Sequence, residues 1–367
     1  MSGPVRVADV VAAIEDAMPA QWAEPWDNVG LVCGDGAAAV SGVLVTLDAT
    51  EAAVDRAREA GANLLVTHHP PYLESARRLV AGQGMDAAVA SLSTGVSIIS
   101  AHTNLDRAPA GARVLADALS LVDAEPLERS TQTMSLVTVY VPADARTAVF
   151  AAMREAGGGR IGLYEGCAFS LAGTGTFVPR VGSAPHVGTS GQQVESAEDR
   201  LEVVVAPAAE GAVMAAAVAA HPYEEPVVVA SEVRIARGAA RMGRVGSLSS
   251  PATLRSFAER VRDVFDCRPR VWGDPDSPVG RVATATGSGR SLIGDAIAAR
   301  ADVLLAGEVR YHDALNAVAA GLAVVEAGHD VTEWPLIPVL AAAVRATPGL
   351  DGTLVQEEGA RCGWWVP

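Results

Sequence analysis

GVLVTLDATEAAVDRAREAGANLLVTHHPPY, residues 42–72, carries the pattern on which the fold of this chain turns. Gly42 to Asp48 is a short apolar run and reads as a buried strand, Glu51 to Ala60 as a helix, and Asn63 to Thr67 as a second strand running into His68-His69. Another helix lies near Met85 to Leu92. A third strand, Val96 to Ser100, then delivers Ala101-His102-Thr103-Asn104-Leu105-Asp106.

The last third follows the same plan. Gly280 to Thr286 reads as a strand, Ser291 to Arg300 as a helix, and Asp302 to Ala306 as a strand ending in Gly307-Glu308. A helix from Asp313 to Ala320 leads to the strand Leu322 to Ala327, which delivers Gly328-His329. Both ends of the chain therefore run strand, helix, strand, polar site, helix, strand, polar site. The pattern predicts an α/β protein with two related lobes, their polar residues at the carboxyl ends of strands, where open parallel sheets bind ligands. A twofold-like pairing of the lobes would bring these ends together.

Between the lobes the texture changes. Met134 to Val141 alternates like a strand, Ala145 to Ala156 like a helix, and Gly157 to Pro185 is rich in Gly, Ser and Thr. Leu201 to Val205 is a further strand and Ala209 to Ala220 a helix, after which His221-Pro222-Tyr223-Glu224-Glu225-Pro226 leads into the strand Val227 to Val233. This β-α-β-β-α-β order is the ferredoxin-like pattern of an α+β domain. The expected division is a first lobe over residues 1–127, an inserted domain over 128–236 and a second lobe over 237–367.

Composition narrows the function. The 367 residues carry a formal charge of −15, which argues against broad contact with nucleic-acid backbones and requires a local positive site for any anionic substrate. All 28 Lys and Arg residues are arginine, which excludes Schiff-base lysine chemistry and a P-loop lysine. Cys33, Cys167, Cys267 and Cys362 are scattered without a Cys-x-x-Cys pair, as suits buried thiols in a reducing cytoplasm. The longest apolar stretches, such as Leu336 to Val344, fall short of the roughly 20 residues a membrane helix needs, and the N-terminus reads as no secretion signal. A cytoplasmic protein without a membrane partner is expected.

Five of the seven histidines follow predicted strands, and acids stand near them: His68-His69, Asp106 closing AHTNLD, and His329 with Glu333 in GHDVTE. Neighbouring side chains on an extended segment point apart, so His68 and His69 suit two neighbouring ions better than one. Asp106, at the end of a strand path, has two oxygens with which to bridge them. His329 and Glu333 lie four apart at a helix entry; if Val331 begins that helix, Pro335 falls in its first turn, where a missing N–H costs little. Three imidazoles and two carboxylates form a mixed N/O set suited to zinc, iron(II), manganese or nickel and unsuited to a structural thiolate site. Five ligands over two ions leave room for water, as in hydrolytic dinuclear sites. His102, His312, Glu308 and Asp48 are candidates for orienting ligands or moving protons.

Each group alone has a plainer reading. His68-His69 would be a solvated loop before Pro70-Pro71, His329 with Glu333 a helix-entry ion pair, and Asp106 a cap. Their matching places in both lobes favour a metal centre. Gly287-Ser288-Gly289-Arg290-Ser291 joins a strand to a helix and reads as a tight turn, with anion binding by its amides and Arg290 as the sharper alternative. Trp26-Asp27-Asn28-Val29-Gly30-Leu31 reads as a turn under a packed tryptophan, with a role for Asp27 near the ions left open. His221, Glu224 and Glu225 read as a capped helix exit, and as a metal or partner site only secondarily.

WDNVGL (26–31), THHPPY (67–72), AHTNLD (101–106), GEVRYHDA (307–314) and GHDVTE (328–333), in this order, resemble the NIF3-like dinuclear metal-centre proteins, also called GTP cyclohydrolase 1 type 2 homologs. The resemblance covers nearly the whole chain. GTGTF and HPYEEP are similar to the longer bacterial members, whose inserted domain is PII/CutA-like. The resemblance implies a toroidal homohexamer with two divalent metal ions per subunit, zinc or iron foremost, held by His68, His69, Asp106, His329 and Glu333, with His102 and Glu308 beside them. Where that family usually has Gly-Gly-Ser-Gly, this chain has Thr286-Gly287-Ser288-Gly289. The implied activity is hydrolysis of a small molecule such as a nucleotide, the cyclohydrolase name denoting water-dependent opening of the guanine ring, with Glu308 or His102 moving protons and Arg290 or Arg310 offsetting the acidic surface. The alternative is a non-catalytic metal-binding or regulatory assembly whose insert binds a small ligand or partner protein.

Overall fold

The computed structural model describes residues 3–358 apart from 75, 130, 163, 237 and 239. They fall into two compact units, one made of the residues up to Arg129 with those from Gly238 onward, the other of residues 130–237.

The first unit begins with a helix, Val7–Ala17, whose buried Val7, Val10 and Ile14 recur at helical spacing. Strands β1 (Gly30–Cys33), β2 (Gly42–Asp48), β3 (Leu64–His69) and β4 (Ser97–Ser100) follow, with helices Glu51–Glu59 and Asp86–Thr94 crossing between the last three. Thr50 starts the first crossover by accepting the Ala53 amide. Strands β2, β3 and β4 are parallel, β1 runs antiparallel to β4, and the late strand Leu354–Glu357 adds parallel to β2. The apolar runs are buried on both faces because their residues serve two cores in alternation. Val43, Val45, Leu47, Leu64, Val66 and Ile99 pack with Val10, Ile14 and Leu340, whereas Leu44, Leu65 and Ile98 pack on Ala53, Val54 and Ala57. Strand β5 (Val122–Pro126) leaves this sheet for the next lobe.

The second unit consists of β6 (Thr131–Pro142), helix Arg146–Glu155, β7 (Ala168–Phe177), β8 (Val194–Val205), helix Glu210–Ala220 and β9 (Val228–Ala236). Its antiparallel sheet has the order β7-β8-β6-β9. Alternate valines of β6 and β8, Val137, Val139, Val203 and Val205 among them, pack on Val149, Met153, Val213 and Ala217 of the two helices.

The chain then returns to the first unit through β10 (Arg244–Thr253), helix Leu254–Phe265, β11 (Arg270–Trp272), β12 (Pro278–Thr284), β13 (Val303–Ala306) and β14 (Ala323–Glu326). Their sheet has the order β11-β14-β13-β12-β10-β5, with β12, β13 and β14 parallel and β11 antiparallel to β14. The four strands β11-β14-β13-β12 thus repeat the order and directions of β1-β4-β3-β2. No helix among the described residues is long and apolar enough to cross a membrane.

Candidate metal centre

The two sets of parallel strands present their carboxyl ends to a common site. Strand β3 ends in His68-His69, and β4 leads through His102 into a short helix, Thr103–Arg107, that carries Asp106. From the other lobe, β12 leads to Thr286-Gly287, β13 to Gly307-Glu308, and β14 to the helix His329–Glu333. Glycines let the second-lobe loops pack tightly against one another behind the site. Gly287 has φ +55, and a Cβ on it would lie 2.3 Å from Glu333 Oε1; one on Gly307 would lie 2.7 Å from the His329 Cα.

Glu333 is the hub. Its Oε1 lies 3.6 Å from His68 Nε2 and 3.1 Å from His329 Nε2, and its Oε2 lies 3.0 Å from His69 Nε2. Asp106 Oδ2 stands 3.8 Å from His68 Nε2, and its Oδ1 accepts the Thr286 hydroxyl. Ligand atoms of His68, His69 and His102, and likewise those of His69, His329 and Glu333, lie within 4.8 Å of one another, so both groups could hold a metal ion.

The four imidazoles share one arrangement. His68 Nδ1 bonds the Ala101 carbonyl at 2.9 Å, His69 Nδ1 the Asp48 carboxylate at 2.8 Å, His102 Nδ1 Asp27 at 2.8 Å and His329 Nδ1 Glu308 at 2.8 Å. An acceptor at Nδ1 places the proton there and frees the Nε2 lone pair, which is how ligating histidines are oriented. His68 Nε2, His69 Nε2 and Glu333 Oε2 are buried and have no hydrogen-bond partner; the 3.0 Å approach between the last two lacks hydrogen-bond geometry. Leaving such a group unmet costs about 1–3 kcal/mol each, so three around one point demand a partner of another kind. Inward lone pairs from imidazole and carboxylate suit a divalent cation.

Electrostatics agree. Burial pushes the His69 imidazole down, but Asp48 and Glu333 overcome it and raise its pKa to about 9. Glu308, Glu333 and their charges raise His329 to about 10. His68, fully buried, is also raised, because the charges of Asp106 and Glu333 outweigh desolvation. Burial would raise Glu333, yet the close approach of the His329, His68 and His69 imidazoles holds it well below the carboxylate range. The three imidazole shifts share one cause, the carboxylates of Asp48, Asp106, Glu308 and Glu333 around them.

All five sequence-derived ligand residues meet here, with His102, Glu308 and Asp48 around them. Three details differ from the sequence reading. Asp106 lies on a helical turn and not on a strand end, four residues past His102. The last ligand helix starts at His329, not Val331, and Pro335 falls in the 3₁₀ turn Trp334–Leu336 that follows. His68 and His69 both belong to β3, and their alternation survives as burial, His68 wholly and His69 partly; beyond the strand end their rings nevertheless converge to 4.9 Å. Imidazoles are long enough to close that gap.

Two further candidates take other roles. His312 packs its ring on Tyr311. In the Gly287–Arg290 turn, the Gly287 amide donates to Thr332 Oγ1, the Gly289 amide to the Glu308 carbonyl, and Arg290 pairs with Asp313 at 3.0 Å. This is the tight-turn reading. Asp27, left open by the sequence, is fixed: its carboxylate accepts from His102, from the Thr103 amide and hydroxyl, and from the Asn28 amide. Burial alone would raise its pKa, but His102 and Thr103 bring it to about 2. The Ala101 carbonyl and the Thr286 hydroxyl were not foreseen; the only sequence signal for Thr286 is that it replaces an expected glycine.

The profile of the Duf34/NIF3 family (NGG1p interacting factor 3) matches residues 5–356. A Mycobacterium tuberculosis protein named GTP cyclohydrolase 1 type 2 homolog is 38% identical over 351 residues, covering 93% of this chain and 92% of that relative. A Bacillus subtilis protein of the same name is 36% identical over 333 residues, with 90% and 89% covered. The crystal structure of a Bacillus cereus protein related to NIF3 is 31% identical and superposes with a TM-score of 0.64 over 98% of each chain. The chain belongs to the Duf34/NIF3 family.

Proposed function

We propose that this Duf34/NIF3 protein holds two divalent cations, zinc or iron foremost and manganese or nickel as alternatives, through His68, His69, Asp106, His329 and Glu333, and hydrolyses a small molecule there. The observation that carries the reading is the set of buried, unpartnered atoms, His68 Nε2, His69 Nε2 and Glu333 Oε2, with both imidazoles anchored through Nδ1. Such ions would supply Lewis acidity, acidifying water and drawing charge from a substrate oxygen. The chain supplies the rest. His102, its Nδ1 held by Asp27, keeps Nε2 toward His68 and His69 and moves a proton there. Glu308 orients His329 and, with its side chain 48% exposed, passes protons to solvent.

In this reading the substrate is a nucleotide or a related cyclic, amide-like compound, in keeping with the relatives' name. The second unit is a ferredoxin-like, PII/CutA-like insert, supported by its β-α-β-β-α-β succession and the order β7-β8-β6-β9. The protein is cytoplasmic and assembles as a homohexamer, which light scattering checks as a particle of six chain masses.

The test is metal analysis of protein purified without added metal, followed by a hydrolysis screen over nucleotides and phosphoesters. Two ions per chain with turnover that a chelator abolishes is the expected result. Two tightly held ions without turnover would leave a non-catalytic metal-binding or regulatory assembly, and no ions would overturn the reading.

A further inference from the structure

We infer that Thr286 is a positioning residue that settles how Asp106 addresses the ions: the Thr286 hydroxyl keeps Oδ1, so that Asp106 offers Oδ2 alone, on the His68 side. This rests on the metal-binding reading above and goes beyond it by assigning a residue outside the ligand set.

Asp106 is buried, and a buried carboxylate needs partners for both oxygens. The adjacent Arg107 does not serve it, because that guanidinium is taken by Glu24 at 2.7 Å and Glu128 at 2.8 Å. Among the described residues, the side-chain donor that reaches Asp106 is the Thr286 hydroxyl, which comes from the opposite lobe just past the end of β12. The other oxygen faces His68 Nε2 at 3.8 Å. Glu333 is placed differently: its two oxygens separately approach His69 and the pair His68 and His329. The expectation that Asp106 spans both ions therefore gives way to a division of labour, in which Glu333 is the carboxylate that reaches both sides and Asp106 serves one. A glycine at 286 would have no hydroxyl to impose this.

The test compares the wild type with Thr286→Val, Thr286→Ser and Thr286→Gly by cobalt(II) titration, reading stoichiometry, the affinity of each step and the visible absorption of the bound ion. Valine keeps the shape of threonine and removes the donor. The valine and glycine variants are expected to bind one of the two ions about 10- to 100-fold more weakly, the range typical of groups that orient ligands, with an altered cobalt spectrum, while serine behaves as wild type. Should valine perturb folding, the serine and glycine pair carries the same comparison. If wild type takes up two ions and all three variants match it in affinity and spectrum, the role of Thr286 is refuted and the metal site stands. If wild type takes up none, the metal reading fails, and this inference with it.

Discussion

His69 in the core and His221 in the inserted unit are both histidines near acidic side chains at the end of a regular element, yet they are wired in opposite ways. His221 follows helix Glu210–Ala220; its Nε2 bonds the Tyr140 carbonyl at 2.9 Å, and its Nδ1 accepts the Tyr223 amide at 3.0 Å. Both nitrogens are used, and burial lowers its pKa. His69 uses only Nδ1, leaves Nε2 orphaned, and has its pKa raised to about 9. Histidine beside carboxylate is therefore a weak sign of a metal site. The unspent nitrogen is the strong one.

Removing a ligand from the core should have the largest effect. His68→Ala or Glu333→Gln is expected to lower cation affinity by more than about 100-fold, beyond the range for outer groups, as read by calorimetric titration. Retention of both ions by either variant would erase the contrast with His221.

Acidity sharpens it next. In ion-free protein the pKa values of His69 and His329 rise from 6.5 to about 9 and about 10, so their contribution to stability is whole below pH 6.5 and is lost as pH climbs through those values. The ion-free melting temperature should fall across that window. Cation affinity should rise over the same interval, because protons compete for the same nitrogens. A flat melting profile from pH 6 to about 10 would show that these groups are not coupled to folding.

Asp48→Ala should be milder. It frees His69 Nδ1, but the Asp48 side chain is 56% exposed, so water can replace it, and a loss of about 10-fold in affinity is expected. The smallest effect on cations belongs to His221→Phe, which should leave affinity unchanged while costing about 1–3 kcal/mol of stability in the inserted unit through the stranded Tyr140 carbonyl and Tyr223 amide. Weakened cation binding in that variant would contradict the assignment of His221 to structure.

Much of the site was legible before any coordinates. The apolar runs of Gly42–Asp48 and Val303–Ala306 declare buried parallel strands, and His68, Asp106, Glu308 and His329 follow such strands closely enough to be picked out by position alone. Short and polar elements were not legible: β1, β5, β11 and the strand Leu354–Glu357 have three to five residues each and gain their character from neighbours distant in sequence. The 4.9 Å approach of the His68 and His69 rings is not legible, because alternation along a strand describes where side chains leave the backbone, not where long ones arrive. The contacts of Asp27 and Thr286 are hidden for a related reason. Their partners, His102 and Asp106, lie across gaps of 75 and 180 residues that no local pattern encodes.

The two sheets of the core also lend each other strands: β5, made early, lies in the sheet of the second lobe, and Leu354–Glu357, made last, lies beside β2, where Glu358 accepts the Thr46 hydroxyl and pairs with Arg56 at 2.6 Å. Vectorial synthesis on the ribosome consequently cannot finish the first lobe when its own residues emerge, although the inserted unit, contiguous in the chain, is free to fold as it appears. The five candidate ligands can therefore meet only after His329 and Glu333 of the second lobe have been made.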